Sequence, residues 1–504
     1  MKSYGIVIVG IASLVLVGGG CGTEIAPGPI PHNEWRWMGG SNTTHQPGNY
    51  GTLGIPATGN IPPSRWDAAS WTDRNGNFWL FGGSGYAAAI NATGVLLNDL
   101  WEFDPSTNEW TWMGGSSTLP QSGNGWPGVY GTLGVPAAGN IPGSRYGAAH
   151  WVDLNGNLWL FGGAGAPNDL WEYSPSTNEW AWMGGNSVVG INGANPGVYG
   201  TLGAPAPGNI PGGRSGALSW TDQSGNSWLF GGSGADANGV GGGLNDLWEF
   251  NPSTREWTWI GGNSTVGTNG GWPGVYGTLG TPAAANIPGS RSGAVSWTDP
   301  SGNLWLFGGS GDDANGTGTA LNDLWKFNPS TNQWAWMGGG TTTAGCTTGG
   351  LGLVTCAGQP GVYGVLGTPA AGNVPGGRTE AVSWTDGSGN LWLFGGTGYD
   401  SAGNQGNLND LWKFSPTINE WTWMGGNSTE GGCAFIPAGI IYCEGHAGVY
   451  GSLDVPGTGN NPGGRSGASG WIDNKANLWL FSGYGADSTG HGMGTLNDLW
   501  EYQP

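Results

Sequence analysis

Charge is scarce in this chain. Only 9% of its 504 residues are Asp, Glu, Lys or Arg, and 13 basic residues stand against 33 acidic ones, a net charge of -20. Such a surface repels a phosphate backbone, which excludes nucleic acid as a partner. No run of like charge forms a tail, so the acidity is spread thinly. Histidine is rarer still. His32, His45, His150, His446 and His491 are the only five, and they fall at unrelated places, so neither a shared general base nor a metal centre is expected.

What is abundant is glycine, 107 residues, and tryptophan, 33. Neither is average globular usage, and a chain this long with such a bias points to repetition. Aligned on itself, the sequence contains six copies of one unit, each opening on an arginine: Arg65, Arg145, Arg214, Arg291, Arg378 and Arg465. The fourth copy holds four short runs, "AVSWT", "LWLFGG", "DLWKF" and "QWAWMGG", separated by turn signals such as "DPSGN" and "NPSTN". Alternation in "WAW" and "LWLF" sends neighbouring side chains to opposite faces of a sheet, as stacked four-stranded blades require.

The residues at this point resemble the kelch repeat, which has a double glycine after its second strand, an aromatic residue in the third and a tryptophan in the fourth. Gly308, Gly309, Phe327 and Trp334 match that pattern, as do Gly82, Gly83, Phe103 and Trp110; the sixth copy departs with Ser482-Gly483. The resemblance implies an all-β fold, a six-bladed kelch-type β-propeller over residues 35–504. The sixth copy supplies three strands before Pro504, and "HNEWRWMGG" near the start is a lone fourth strand. The N-terminal strand is therefore expected to complete the last blade, which removes two sheet edges.

Residues 1–20 carry one lysine and then a short apolar stretch ending in glycines, the pattern of a secretory signal. Cys21 follows in "VGGGCG", which resembles a bacterial lipobox although Gly18 stands where that family usually has Leu. Residues 21–34 then form a lipidated terminus and short linker. The expectation is an exported cell-envelope protein held to the membrane by lipid on Cys21 alone. The remaining cysteines form two pairs of equal spacing, Cys346 with Cys356 and Cys433 with Cys443, in corresponding loops. Local disulfides are the expected pairing, and no histidine lies at ligand spacing for a metal alternative.

The turns between strands one and two and between three and four are nearly constant, whereas the loops at the other end vary. That end is the expected binding rim. A tyrosine stands fifteen residues before every arginine, from Tyr50 to Tyr450, so the long connection before each unit reads as a packed crossover rather than a linker. Asp99, Asp169, Asp246, Asp323, Asp410 and Asp498 open the third strands beside the arginines and suggest structural Arg–Asp pairs. The series from Asp73 to Asp473 falls in the short turns. Loops such as "GDDANGTG" offer oxygens of the kind calcium uses, but they lack the closing glutamate of an EF-hand, and no cofactor is expected.

Three residues stand out as binding candidates. Trp126 and Trp272 lie outside the strands in "GWPGVYG", and Glu380 occupies a position where most other copies have glycine. Kelch propellers include carbohydrate oxidases, whose copper site uses histidines, tyrosines and a cross-linked cysteine that this sequence does not assemble. They also include sialic acid mutarotases, which use charged residues at the channel mouth. The expected function is non-catalytic recognition of a protein or surface glycan. The alternative is a glycan-active enzyme, and it predicts charged residues that break the sixfold pattern and converge on the channel mouth.

Overall fold

The computed structural model describes residues 33–87, 92–118, 125–165, 167–188, 195–348, 354–435, 441–490 and 493–504. Cys21 and the segment with the signal pattern lie outside these residues. Among the described residues there is no helix, and six antiparallel four-stranded sheets repeat one topology. In the fourth, Val295–Thr298 pairs with Leu304–Phe307, then Leu324–Asn328, then Gln333–Gly338. In the last, Ser469–Ile472, Leu478–Phe481 and Leu499–Gln503 are completed by Glu34–Gly39 from the N-terminal end.

The six sheets close into a ring. Each innermost strand contacts the innermost strand of the next sheet, and Ser469–Ile472 contacts Ala69–Thr72 to complete the circle. Aromatic packing follows the same path. Trp220, Trp228 and Phe230 of the third blade pack with Trp325, Phe327 and Trp334 of the fourth. Across the closure, Trp471, Trp479 and Phe481 pack with Phe78, Trp101 and Trp110. The indole N–H of Trp220 donates to the Trp305 carbonyl at 3.0 Å, and Trp471 donates to the Trp79 carbonyl at 3.2 Å. Burying one such tryptophan contributes about 4–6 kcal/mol before conformational entropy is subtracted, which is why the repeat can hold its sheets apart on aromatics alone.

The crossover segments cap the outer edges of the blades. Gly280 donates its backbone N–H to the Trp336 carbonyl at 2.7 Å, and Asn286 Nδ2 donates to the Trp334 carbonyl at 3.1 Å. A sheet edge that would otherwise be open to another chain is thereby covered. Each crossover tyrosine then reaches the buried ion pair of its blade. Asp323 accepts from Arg291 Nη1 and Nη2, Tyr276 Oη and Trp325 Nε1, all at 2.7–2.8 Å. The same Arg–Asp pair recurs in all six blades, with essentially no solvent exposure.

The variable rim differs from the loops read in the sequence. Arg291–Ser292 pairs with Ser310–Asp312, which pairs with Gly318–Ala320, so a second tier of small sheets stands on the blades. These strands are glycine-rich and carry no apolar alternation, which leaves no periodic signal to read. Asp313 shapes the hairpin: Oδ1 accepts the N–H of Asn315 and Thr317, and Oδ2 accepts that of Thr343. In the fifth blade the tier gains the hairpin of Cys433–Phe435 and Ile441–Cys443.

Candidate functional site

Two residues after each arginine the chain reaches the axis, at the end of the ring that carries the second tier. Asp67, Gly147, Gly216, Gly293, Glu380 and Gly467 meet there in a closed circle of backbone hydrogen bonds. Each N–H donates to the carbonyl of the preceding member at 2.7–2.9 Å, and Asp67 N–H donates to Gly467 O. All six adopt left-handed φ, between 53° and 63°. Glycine takes that conformation freely, so an aspartate and a glutamate in two of the six places carry a local strain.

Below this circle lies a cavity of about 520 Å³ on the axis, lined by residues of all six blades. Three blades present to it mostly the small side chains of the repeat. The departures from the repeat are Trp66 and Asp67 in the first blade, Tyr146 and His150 in the second, and Glu380 in the fifth, and all five line this one cavity. Trp66 and Tyr146 lie with ring centroids 5.1 Å apart and 43° between their planes, both partly exposed. A Cβ at Gly467 would stand 2.9 Å from Asp67 Oδ1, so glycine there leaves room for the carboxyl group.

The electrostatics of the cavity are one-sided. Its lining contains two carboxyl groups and no Lys or Arg. Burial, with the Glu380 carboxylate adding to it, holds the Asp67 carboxyl well above its ordinary range. Burial also raises Glu380, against a hydrogen bond from Ser466 that lowers it. Both carboxyl groups are therefore biased towards their protonated forms, and the charge on Glu380 disfavours ionisation of Asp67. Burial lowers His150, and its Nδ1 lies 3.1 Å from the Ala148 carbonyl. A neutral imidazole donates from Nδ1 to that carbonyl, which leaves Nε2 as an acceptor.

Of the residues singled out in the sequence, only Glu380 lines the cavity. Trp126 is 37% exposed and donates Nε1 to the Thr118 carbonyl at 2.9 Å; Trp272 donates to the Thr265 carbonyl at 2.6 Å. Each indole braces its own crossover. Cys346–Cys356 and Cys433–Cys443 are bonded and join the two strands of rim hairpins. The six arginines are committed to their aspartates and form no open cationic ring. Asp236 and Asp400 close hairpins as Asp313 does, each accepting three backbone N–H groups. Among the described residues no group of three or more His, Cys, Asp or Glu could hold a metal ion. One histidine, one tyrosine and no cysteine line the cavity, so the donor set of a copper oxidase is not assembled there.

Trp66, Asp67, Tyr146 and His150 were missed in the sequence, where each looked like one more residue of a repeat. The signal lay in comparing the pair after each arginine: Trp-Asp, Tyr-Gly, Ser-Gly, Ser-Gly, Thr-Glu, Ser-Gly. Fold and cavity together define a six-bladed β-propeller with an asymmetric axial pocket. No protein-family model matches the sequence, and no curated protein matches it. A solved structure described as that of YjhT is similar at 13% sequence identity, covering 87% of this chain and 95% of that chain, with a TM-score of 0.43.

Proposed function

We propose that this protein is an exported, lipid-anchored propeller that binds a glycan-derived sugar in the axial cavity at its tiered rim. One observation carries the reading: in a chain that otherwise repeats itself closely, the departures at the channel mouth gather an aromatic pair and two carboxyl groups around one pocket. Aromatic faces cover the apolar face of a pyranose, and carboxyl oxygens accept from its hydroxyl groups. The two disulfides fit an oxidising, extracytoplasmic compartment, in line with the signal pattern and the lipid acceptor Cys21. Isothermal titration of monosaccharides and envelope oligosaccharides into the protein tests this. Binding that weakens at least tenfold in Trp66→Ala and Tyr146→Ala, and is untouched by Trp126→Ala and Trp272→Ala, supports the axial site. The opposite pattern moves the ligand to the crossovers, where a protein partner would dock.

A second reading has its own support in the paired carboxyl groups. With one of them protonated and the other ionised, Asp67 and Glu380 suit proton transfer at a sugar's anomeric centre. The protonated member gives its proton to the ring oxygen as the C1–O5 bond breaks. The ionised member takes the proton of the anomeric hydroxyl as C1=O forms, and reclosure on the other face returns both. Polarimetry on freshly dissolved sugars checks it. An anomerisation rate unchanged by the protein, or by Asp67→Asn and Glu380→Gln, removes the enzymatic version and leaves binding.

A further inference from the structure

The cavity's charge says more about its ligand than its shape does. Asp67 of the first blade and Glu380 of the fifth have one blade between them on the ring, represented by Gly467, and both line the same cavity. The lining places no Lys or Arg opposite them, and burial lowers His150 against the hydrogen bond to the Ala148 carbonyl, which raises it. All six repeat arginines are consumed by their aspartates. An anionic ligand would meet only like charge here, in a site of reduced dielectric where repulsion is felt strongly. A cation would find two carboxyl groups and, beside them, the Trp66 and Tyr146 rings, whose faces attract positive charge.

We infer that the ligand of this pocket is an amino sugar carrying a free ammonium group, with the ammonium held by the Asp67–Glu380 pair and the sugar ring against Trp66 and Tyr146. The inference rests on the reading of the cavity as a sugar site and adds the charge of what enters it. Acidic sugars are excluded by the same two residues. An N-acetylated sugar lacks the cation and binds no better than the neutral parent.

The experiment is titration calorimetry of the full protein with glucosamine, glucose, N-acetylglucosamine and glucuronate. Expected are an affinity for glucosamine at least tenfold above that for glucose and no heat from glucuronate. The variants Asp67→Gly and Glu380→Gly restore the residue that four blades already carry at left-handed φ, so they preserve the ring. In each the preference for glucosamine is expected to disappear. Glucose and glucosamine binding equally, both weakened by Trp66→Ala, overturns the charge inference and leaves the sugar reading standing. Binding of glucuronate overturns it as well. No heat from any of the four sugars overturns both.

Discussion

Trp35 of the N-terminal strand lies directly opposite Tyr502 of the last strand, with ring centroids 5.0 Å apart. Around this contact the closing blade carries an ion pair the others lack. Arg36 bonds Asp454 of the covering crossover and lies 3.4 Å from Glu501 of the neighbouring strand. Asp454 adopts φ 62°, where the five other copies have glycine. A strand that arrives from the far end of the chain is thus fastened from both sides. Trp35→Ala is expected to destabilise the protein by about 3–5 kcal/mol, read by chemical denaturation, and Trp126→Ala by far less. Equal, small effects of the two would mean that the terminal strand is a passenger rather than a latch.

The buried Arg–Asp pairs make a sharper prediction. Asp323 serves four donors, so Asp323→Ala leaves the buried Arg291 guanidinium with backbone carbonyls but no counter-charge, and a phenol and an indole without their acceptor. Breaking such a pair from one side costs about 3–5 kcal/mol. Tyr276→Phe removes only one hydrogen bond to a charged group, about 1.5–3 kcal/mol. Denaturant midpoints of the two variants, with the slope unchanged, check the order. A Tyr276→Phe loss as large as that of Asp323→Ala would show that the tyrosine, not the ion pair, holds the crossover.

Much of this architecture could be read directly because repetition multiplies weak signals. Four short apolar runs are ambiguous once and unambiguous six times, and an Arg–Asp–Tyr set at fixed spacing points to a shared contact. The same repetition hid the site. Asp67 and Trp66 differ from their counterparts at two positions in a long unit, and nothing local in "RWDA" announces that it faces an axis shared with Glu380. Their meeting is a property of ring closure, which brings residues 67 and 380 together only after all six blades are placed. The rim hairpins were hidden for another reason: their glycines carry no side-chain pattern at all.

The disulfides fasten the rim rather than the ring. Cys433–Cys443 ties two strands of a hairpin that adds to the fifth blade's second tier through Gln405–Asn407, and it takes no part in the aromatic packing between blades. Closing so short a loop contributes roughly 2–3 kcal/mol, and that contribution is local. Cys433→Ser with Cys443→Ser is expected to expose the hairpin to limited proteolysis while the global unfolding midpoint moves little. A large loss of global stability would place the hairpin in the core's cooperative unit.

Glu430, in the same hairpin region, gives the protein a predictable pH dependence. Burial, with the Asp410 and Asp400 carboxylates adding to it and Arg378 opposing, pushes its carboxyl up to about 9 from 4.5. Its Oε2 is buried without a hydrogen-bond partner, while its backbone N–H donates to Asp400 Oδ2 at 2.8 Å. Between pH 4.5 and 9 the folded chain holds a proton here that the unfolded chain has released. Stability from this group is therefore fully present below pH 4.5 and is lost progressively as the pH rises towards 9. Glutamine keeps the shape and cannot ionise, so Glu430→Gln should match the parent at pH 4.5, melt higher at pH 8, and decline less steeply between them. Glu501, pushed up to about 7 by burial, contributes a slope of its own that is common to both proteins and cancels in the comparison. Parallel melting curves across that range would mean that Glu430 is ionised and solvated in the folded protein, and that the hairpin does not seal it from water.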